Sequence, residues 1–363
     1  MQKNVLFSIK KDNSHWKFNF FGIKFNFFSP KLSAKQFEIT RNDFNKALNW
    51  TIKGKIFLYS NVDKFTTSQK IWFLTQEFYK RTGYFPNFKH PRSFNEKINW
   101  MKLNYYNPTE KNIIDKYEFK NYIKEQLGEG YTIPLIGLYE DVNDIDFDEL
   151  PDRFVIKTTT NGGAQGVIVV TNKNRLKINK TKYKLNNLLQ EWNSCYYTIL
   201  AAGYKDIKPR IIIEEYMPIR EGKALEYKMF CFHGEVKFCL IECDYFGKNP
   251  KRAFYDKDFN EMPFKIGSMP KVKVKKPETY NEMIRIAEKL SAGFPFVRVD
   301  FYDINGRVYV GEMTFTSGGG YSKFTPLEWD FRLGEYLDLK KLNPEYMHIL
   351  PEFEQKNIKD LVK

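Results

Sequence analysis

An α+β fold, built from antiparallel hairpins and separate amphipathic helices, is what this sequence predicts. Three stretches predict it. In residues 294–315, FPFVRVDFYDINGRVYVGEMTF, Val297, Val299 and Phe301 alternate with Arg298 and Asp300, which is strand periodicity. Asp303-Ile304-Asn305-Gly306 then supplies a turn, and Val308, Val310 and Met313 resume an apolar run. Residues 153–170, RFVIKTTTNGGAQGVIVV, set a glycine-rich loop between two strand-like runs. Residues 278–291 place Tyr280, Met283, Ile284, Ile286, Ala287 and Leu290 at helical spacing.

Composition bounds the rest. The 363 residues suggest two or three units sharing a large core, and 42% hydrophobic and 17% aromatic content can fill one. The net charge of +14 is uneven: residues 1–60 hold eleven Lys/Arg against three acids, more than half of the excess. Such a balance suits nucleic acid, an anionic membrane surface or an acidic substrate. Cys195, Cys231, Cys239 and Cys243 form no Cys-x-x-Cys pair and have no histidine at ligand spacing, so reduced, packed thiols are expected, with a Cys239–Cys243 disulfide as the alternative. No secretory leader or apolar membrane span is read, which points to a cytoplasmic protein.

In chain order, residues 16–28, WKFNFFGIKFNFF, read as a hairpin around Gly22. Two roles fit it: an added sheet packing its aromatics on the body, or a basic aromatic patch resting on a membrane surface. Residues 30–65 look irregular. Thr66-Thr67-Ser68 caps a helix over 69–82. Ser93 and Glu96 make a capping box for the next helix, with Ile98, Met101 and Leu103 on its apolar face. Asp115-Lys116-Tyr117 opens a helix that ends at Gly128 or Gly130. Residues 131–139 are extended, and the acidic run 141–150 turns into a short helix. A helix over 182–202 carries Leu185, Leu188, Leu189 and Trp192, and strands follow at 210–217, 226–232 and after the His233-Gly234 turn. After the hairpin at 294–315, TSGGGYSKF is a second glycine-rich loop and PLEWDFRLGEYLDL a helix.

The chemistry lies in carboxylates and glycines. Asp300 and Glu312 sit on the two strands of one hairpin, where antiparallel pairing can set them side by side for Mg²⁺, and Arg298 shares the face of Asp300. An edge hairpin with solvated charges has the same pattern. The loop TTTNGGAQG lacks the Gly-Lys-Ser/Thr of a P-loop, and the strand after it excludes a Rossmann fingerprint. Its glycines would still let backbone N–H groups approach phosphates, with Lys157 as a point charge, unless it is a plain hairpin tip. Glu214 and Glu215 end an apolar strand, where charge is costly without partners. Asp144-x-Asp146 matches the metal pattern of many glycosyltransferases and also a solvated helix start. The four histidines suggest no nucleophilic triad.

Taken in order, SFNEKINWMKL, DKYEFKNYI, IPLIGLYEDVNDIDFDELPDRFVIKTTT, KPRIIIEEYM, EYKMFCFHGEVKF, RAFYD, the 293–315 hairpin and PLEWDFRLGEYLDL resemble the TupA-like family of the ATP-grasp superfamily, over about residues 80–340. The resemblance implies two α+β subdomains clasping ATP, with a lid part at 116–215 and a core part at 216–340. A helical segment at 66–115 would precede them, a basic extension at 1–65 would lie outside, and 341–363 would form a tail. It implies that Lys157 contacts the α- and β-phosphates and that Asn161, Gly162, Gly163 and Gly166 belong to a lid over them. Glu214, Glu215, Tyr216 and Met217 would hold adenine, and Glu226 the ribose. Lys116 and Lys228 would be further phosphate contacts. Asp300 and Glu312 would hold Mg²⁺, and Arg298 would stabilise a reacting acyl phosphate. Thr314 stands where many ATP-grasp enzymes have Asn, leaving open one Mg²⁺ or two.

The expected function is ATP-dependent carboxylate–amine ligation, modifying a surface polysaccharide or its precursor, with a carboxylate-bearing sugar as acceptor and an amine or amino acid as partner. A glycosyltransferase of capsule or lipopolysaccharide assembly is the alternative. A basic binding module for nucleic acid or anionic polymer accounts for the charge but not for the hairpin acids, so no nucleic acid is expected. The basic extension could dock the enzyme on the inner membrane face.

Overall fold

A computed structural model describes residues 67–162, 166–190, 196, 199–217, 225–244 and 249–348, and the backbone of three strands before them. The chain divides into two compact units, Met1–Phe57 and Leu58–Lys363. The first contains the antiparallel sheet β1 (Phe7–Asp12), β2 (His15–Phe20) and β3 (Ile23–Phe28). The hairpin expected at 16–28 is β2–β3, and β1 is a strand the sequence reading did not include. The side chains of this sheet, residues 30–65 and the tail beyond 348 lie outside the described residues.

The second unit opens with α1 (Thr67–Thr82) and α2 (Phe94–Asn104). The capping box is formed: Ser93 Oγ accepts from Glu96 N, and the Glu96 carboxylate accepts from the N–H groups of Asn87, Arg92 and Ser93. One carboxylate thus closes the α1–α2 loop and starts α2. A short helix α3 (Glu110–Ile114), which the spacing did not predict, precedes α4 (Glu118–Leu127). Asp115 Oδ1 accepts from Tyr117 N and Glu118 N, and α4 ends at Gly128 with φ 88°.

Two sheets follow. β4 (Leu135–Tyr139), β5 (Phe154–Thr158), β6 (Val167–Val170) and β7 (Ile211–Glu215) pair in the order β4-β7-β5-β6. Between β6 and β7, α5 (Ile178–Leu188) begins before the 182–202 expected, and Tyr196 and Ile199 within that range are also helical, while 191–195 and 197–198 lie outside the described residues. Leu185 in its second half is fully buried on the sheet, with Leu176 and Ile178 packed against the same cluster. The larger sheet joins β8 (Leu225–Phe232), β9 (Glu235–Cys243), β10 (Lys251–Asp256), β12 (Phe296–Ile304) and β13 (Arg307–Thr314) in the order β10-β9-β8-β12-β13. Short strands β11 (Lys265–Ile266) and β14 (Phe324–Thr325) pair apart from it. Helix α6 (Tyr280–Ser291) lies between β11 and β12, and α7 (Glu328–Tyr336) follows β14. Cys231, Cys239 and Cys243 are buried free thiols, and Cys195 lies outside the described residues.

Strand alternation gives the larger sheet two unlike faces. On one face Met229, Cys231, Cys239, Ile241, Val297, Val299 and Phe301 are buried against Met283, Ile286, Ala287 and Leu290 of α6. Each such aliphatic side chain contributes roughly 1.5–3 kcal/mol by leaving water. The opposite face is divided. One half packs Phe230, Phe232, Phe238, Phe254 and Phe296 against Phe94 of α2 and Leu333 of α7. The other half carries charges.

Helices α2 and α7 pack at the minimum separation backbones allow. A Cβ on Gly334 would overlap the carbonyl of Arg92 and the backbone of Ser93 and Phe94. Lys97 Nζ donates to the carbonyls of Gly334 and Leu337, 2.8 and 2.9 Å away, capping α7. Asp330, fully buried, accepts from Asn95 N, Asn95 Nδ2 and the Tyr84 hydroxyl. In an exposed helix, Gly→Ala stabilises by about 1 kcal/mol. Here the sign should reverse: Gly334→Ala should cost roughly 1–3 kcal/mol, read as a lower urea midpoint at unchanged slope.

Candidate active site

The charged half of the sheet face is built by register. Lys228 on β8 stands opposite Asp300 on β12, and Glu226 opposite Glu242 on β9. Asp300 stands opposite Glu312 on β13. That last pairing depends on a β-bulge. Counting back from Ile304↔Arg307, the ladder runs to Phe301↔Val310, which would put Gly311 opposite Asp300 and turn Glu312 to the other face. The register shifts between Phe301 and Asp300, Gly311 becomes the extra residue, and Glu312 returns to the face of Asp300. Gly311 suits the bulge because a Cβ there would meet the Tyr302 ring at 2.7 Å.

These side chains form one ionic network. Lys228 Nζ lies 2.8 Å from Glu226 Oε2, 3.0 Å from Asp300 Oδ2 and 3.3 Å from Glu242 Oε2. Arg298 Nε donates to Asp300 Oδ1 at 2.6 Å, and its Nη2 to Asp300 Oδ2 at 2.6 Å and Glu312 Oε1 at 3.0 Å. Arg252 pairs with Glu242. Lys228, Asp300, Glu226 and Glu242 are all buried, so each charge depends on its partners. Burial pulls the Lys228 ammonium down, yet Asp300 and Glu226 carry it well above its ordinary value. Burial alone would lift Glu312, but Arg298, Lys116 and Lys228 hold its carboxyl down at about 2. It is ionised at any working pH.

This network lies on a cavity of about 500 Å³. Lys116, Lys157 and Gly162 line it together with Glu226, Lys228, Arg298, Asp300 and Glu312. Lys116 Nζ donates to the Asn161 carbonyl at 2.8 Å, so α4's start is tied to the glycine-rich loop. Asn161 is buried, and its Oδ1 accepts from Thr158 Oγ1 at 2.7 Å. Gly166 is required by packing, since a Cβ there would overlap Thr158 Oγ1. Gly163 lies outside the described residues.

Not every predicted residue reaches the cavity. Glu214 faces a smaller neighbouring pocket, where Lys157 Nζ lies 2.6 Å from its Oε2 and Lys120 pairs with its Oε1. Burial would raise Glu214, but Lys157 and Lys120 hold its carboxyl below the ordinary range. Glu215 is exposed, Tyr216 lies under the Arg153 guanidinium, and neither they nor Met217 lines the cavity. Asp144 and Asp146 are exposed, flanking buried Ile145 on a 3₁₀ turn away from the cavity. Sequence reasoning missed Glu242, Arg252 and Lys120. Glu242 was discoverable: it stands in the apolar run KFCLIEC, where an unpartnered charge is costly.

The donor set fits a hard dication in part. Asp300 and Glu312 present oxygen ligands from adjacent strands. Among the described residues no group of three acids, cysteines or histidines forms a metal cage. Mg²⁺ here would therefore complete its shell with phosphate and water oxygens, as it commonly does. Among the described residues no helix is long and apolar enough to cross a membrane.

Comparison with known proteins bears on the whole arrangement. Residues 96–338 match the family described as TupA-like ATPgrasp. Among solved structures, D-alanine-D-alanine ligase from Helicobacter pylori is 17% identical at a TM-score of 0.37, over 67% of each chain. N5-carboxyaminoimidazole synthetase from Staphylococcus aureus, complexed with ADP, is 15% identical at 0.32, over 56% of this chain and 44% of that one. D-alanine–D-alanine ligase from Bacillus anthracis is 19% identical at 0.35, over 64% and 72%. Curated proteins give no match. The family match covers well over half of the chain and includes both the glycine-rich hairpin and the carboxylate hairpin: this protein belongs to the TupA-like ATP-grasp family.

Proposed function

We propose that the chain joins a carboxylate to an amine at the expense of ATP, and that the carboxylate belongs to a uronic acid of a surface polysaccharide or its precursor. The observation that carries the reading is the single cavity in which Lys116 and Lys157 face Arg298, Asp300 and Glu312. A carboxylate oxygen attacks the γ-phosphorus of ATP, the bond to the bridging oxygen breaks, and ADP leaves with that oxygen. The acyl phosphate is then attacked by the amine nitrogen. Phosphate leaves with its bridging oxygen, the nitrogen loses a proton, and an amide remains.

In this reading Lys157 and Lys116 bind the α- and β-phosphates, with Asn161, Gly162, Gly163 and Gly166 as the covering loop. Glu226 takes the ribose, and Glu214 holds Lys157 from the adjoining pocket rather than lining the cavity itself. Asp300 and Glu312 would hold Mg²⁺, which when bound neutralises phosphate charge. Arg298, held by three bonds to those acids, is oriented toward charge that develops on the transferring phosphoryl group. Lys228 holds Asp300 in place from the opposite side. Catalysis then rests on positioning and fixed charge.

The test is ADP release from ATP with a uronic acid and a small amine supplied together; release that needs neither would overturn the proposal. Asp300→Asn and Glu312→Gln should each lower turnover by roughly 10² or more at saturating Mg²⁺, and near-wild-type rates would remove them from the metal site. Gly311→Ala crowds Tyr302 and disturbs the bulge that aims Glu312. It should cut turnover about tenfold or more while costing only about 1–3 kcal/mol of stability. Hydrogen exchange at residues 158–166 should slow on adding ATP and Mg²⁺. Unchanged exchange at saturating ATP would count against a phosphate-covering loop.

A further inference from the structure

Beside the main cavity lies a second, smaller pocket. It has an open volume of about 30 Å³ and adjoins the larger one at Tyr204 and Thr316, which line both. Thr316 lies four residues beyond Glu312 in the chain. Its walls are mostly apolar and aromatic, with Tyr105, Tyr106 and Tyr204 among them.

Two polar groups line it without partners. The half-buried Glu110 carboxyl has no ion pair or hydrogen bond with a described residue, and the buried Tyr105 hydroxyl has no hydrogen-bond partner. Lys102 lines the same pocket, but its ammonium is engaged by Asn99 Oδ1 and the Gly319 carbonyl. Glu110 Oε2 lies against Gly203, where even a Cβ would come within 3.2 Å of it. A carboxyl against apolar walls is favoured as the anion when a cation sits beside it. Desolvation pushes the Glu110 carboxyl up to about 8, and a cation entering the pocket would draw it down and hold it as the carboxylate. Two acceptors and three aromatic rings around a space for two or three heavy atoms are the chemistry that recognises an ammonium group.

We infer that this pocket receives the amine substrate, with the Glu110 carboxylate and the Tyr105 hydroxyl accepting hydrogen bonds from its nitrogen. The inference rests on the carboxylate–amine ligase reading and adds the location and charge of the second substrate. It implies selection for small primary amines and against bulky or neutral analogues. The amine would enter beside Thr316, at the border with the main cavity.

Saturation-transfer difference NMR on the full chain tests this, with ethylammonium as probe and ATP as internal control. Ethylammonium should give a clear signal with the wild type. Ethanol, of similar size without the charge, and tert-butylammonium, too bulky, should give little. Glu110→Gln keeps the shape and removes the charge; it should weaken the ethylammonium signal about fivefold or more while the ATP signal stays. Absence of an ethylammonium signal in the wild type, equal signals from ethanol, or full retention in Glu110→Gln would overturn the inference and leave a water pocket. The ATP signal separates the two levels: its loss in the wild type would count against the ligase reading, whereas its presence without ethylammonium would count against the amine pocket alone.

Discussion

The structure depends on one buried ammonium. Lys228 sits in mid-strand with three carboxylates within 3.3 Å, and two of them, Glu226 and Glu242, stand opposite each other across β8 and β9. Without that cation the sheet would bury like charges side by side, at a cost of several kcal/mol. With it, Glu226, Glu242 and Asp300 share one cation and are held in place. Arg298 and Arg252 complete the neutralisation from either side. The network has little freedom to reorganise, which is what a site that stabilises phosphoryl charge requires.

The same face that carries these charges carries the aromatic core two residues further along each strand. Arg298 and Phe296, Lys228 and Phe230, and Glu242, Leu240 and Phe238 are successive same-face positions. Helices α2 and α7 close the aromatic half, with Phe94, Leu333 and the Asp330–Asn95–Tyr84 hydrogen bonds as the contact. The charged half is left facing the cavity. Packing and chemistry thus share one sheet surface, and the tight α2–α7 contact determines where one gives way to the other.

The smaller sheet contributes by a different route. Lys157 on β5 is held by Glu214 on β7, which Lys120 of α4 also neutralises. Lys116, just before α4, reaches the Asn161 carbonyl. The start of α4 therefore ties the glycine-rich loop to the smaller sheet. A phosphate arriving between Lys116 and Lys157 would compete for cations that now stabilise protein carboxylates and carbonyls.

Local physics determined much of this protein from sequence alone. The Asn305-Gly306 turn, with φ 57° and 83°, the Ser93–Glu96 box, the Asp115 start of α4, and the α6 stripe all follow from interactions within a few residues. So does the presence of Asp300, Glu312 and Arg298 on one hairpin. Their meeting does not follow. Strict alternation from the turn would send Glu312 to the α6 face, and only the bulge at Gly311, crowded by Tyr302, turns it back. Arg252 and Lys120 were hidden for a related reason: their partners, Glu242 on β9 and Glu214 on β7, are set by which strands and helices become neighbours. The pocket around Glu110 has the same origin, since α3 and the turn at 202–204 meet across some ninety residues of chain. Periodicity sees one strand or helix at a time, whereas charge pairing and cavities are decided by which strands and helices become neighbours.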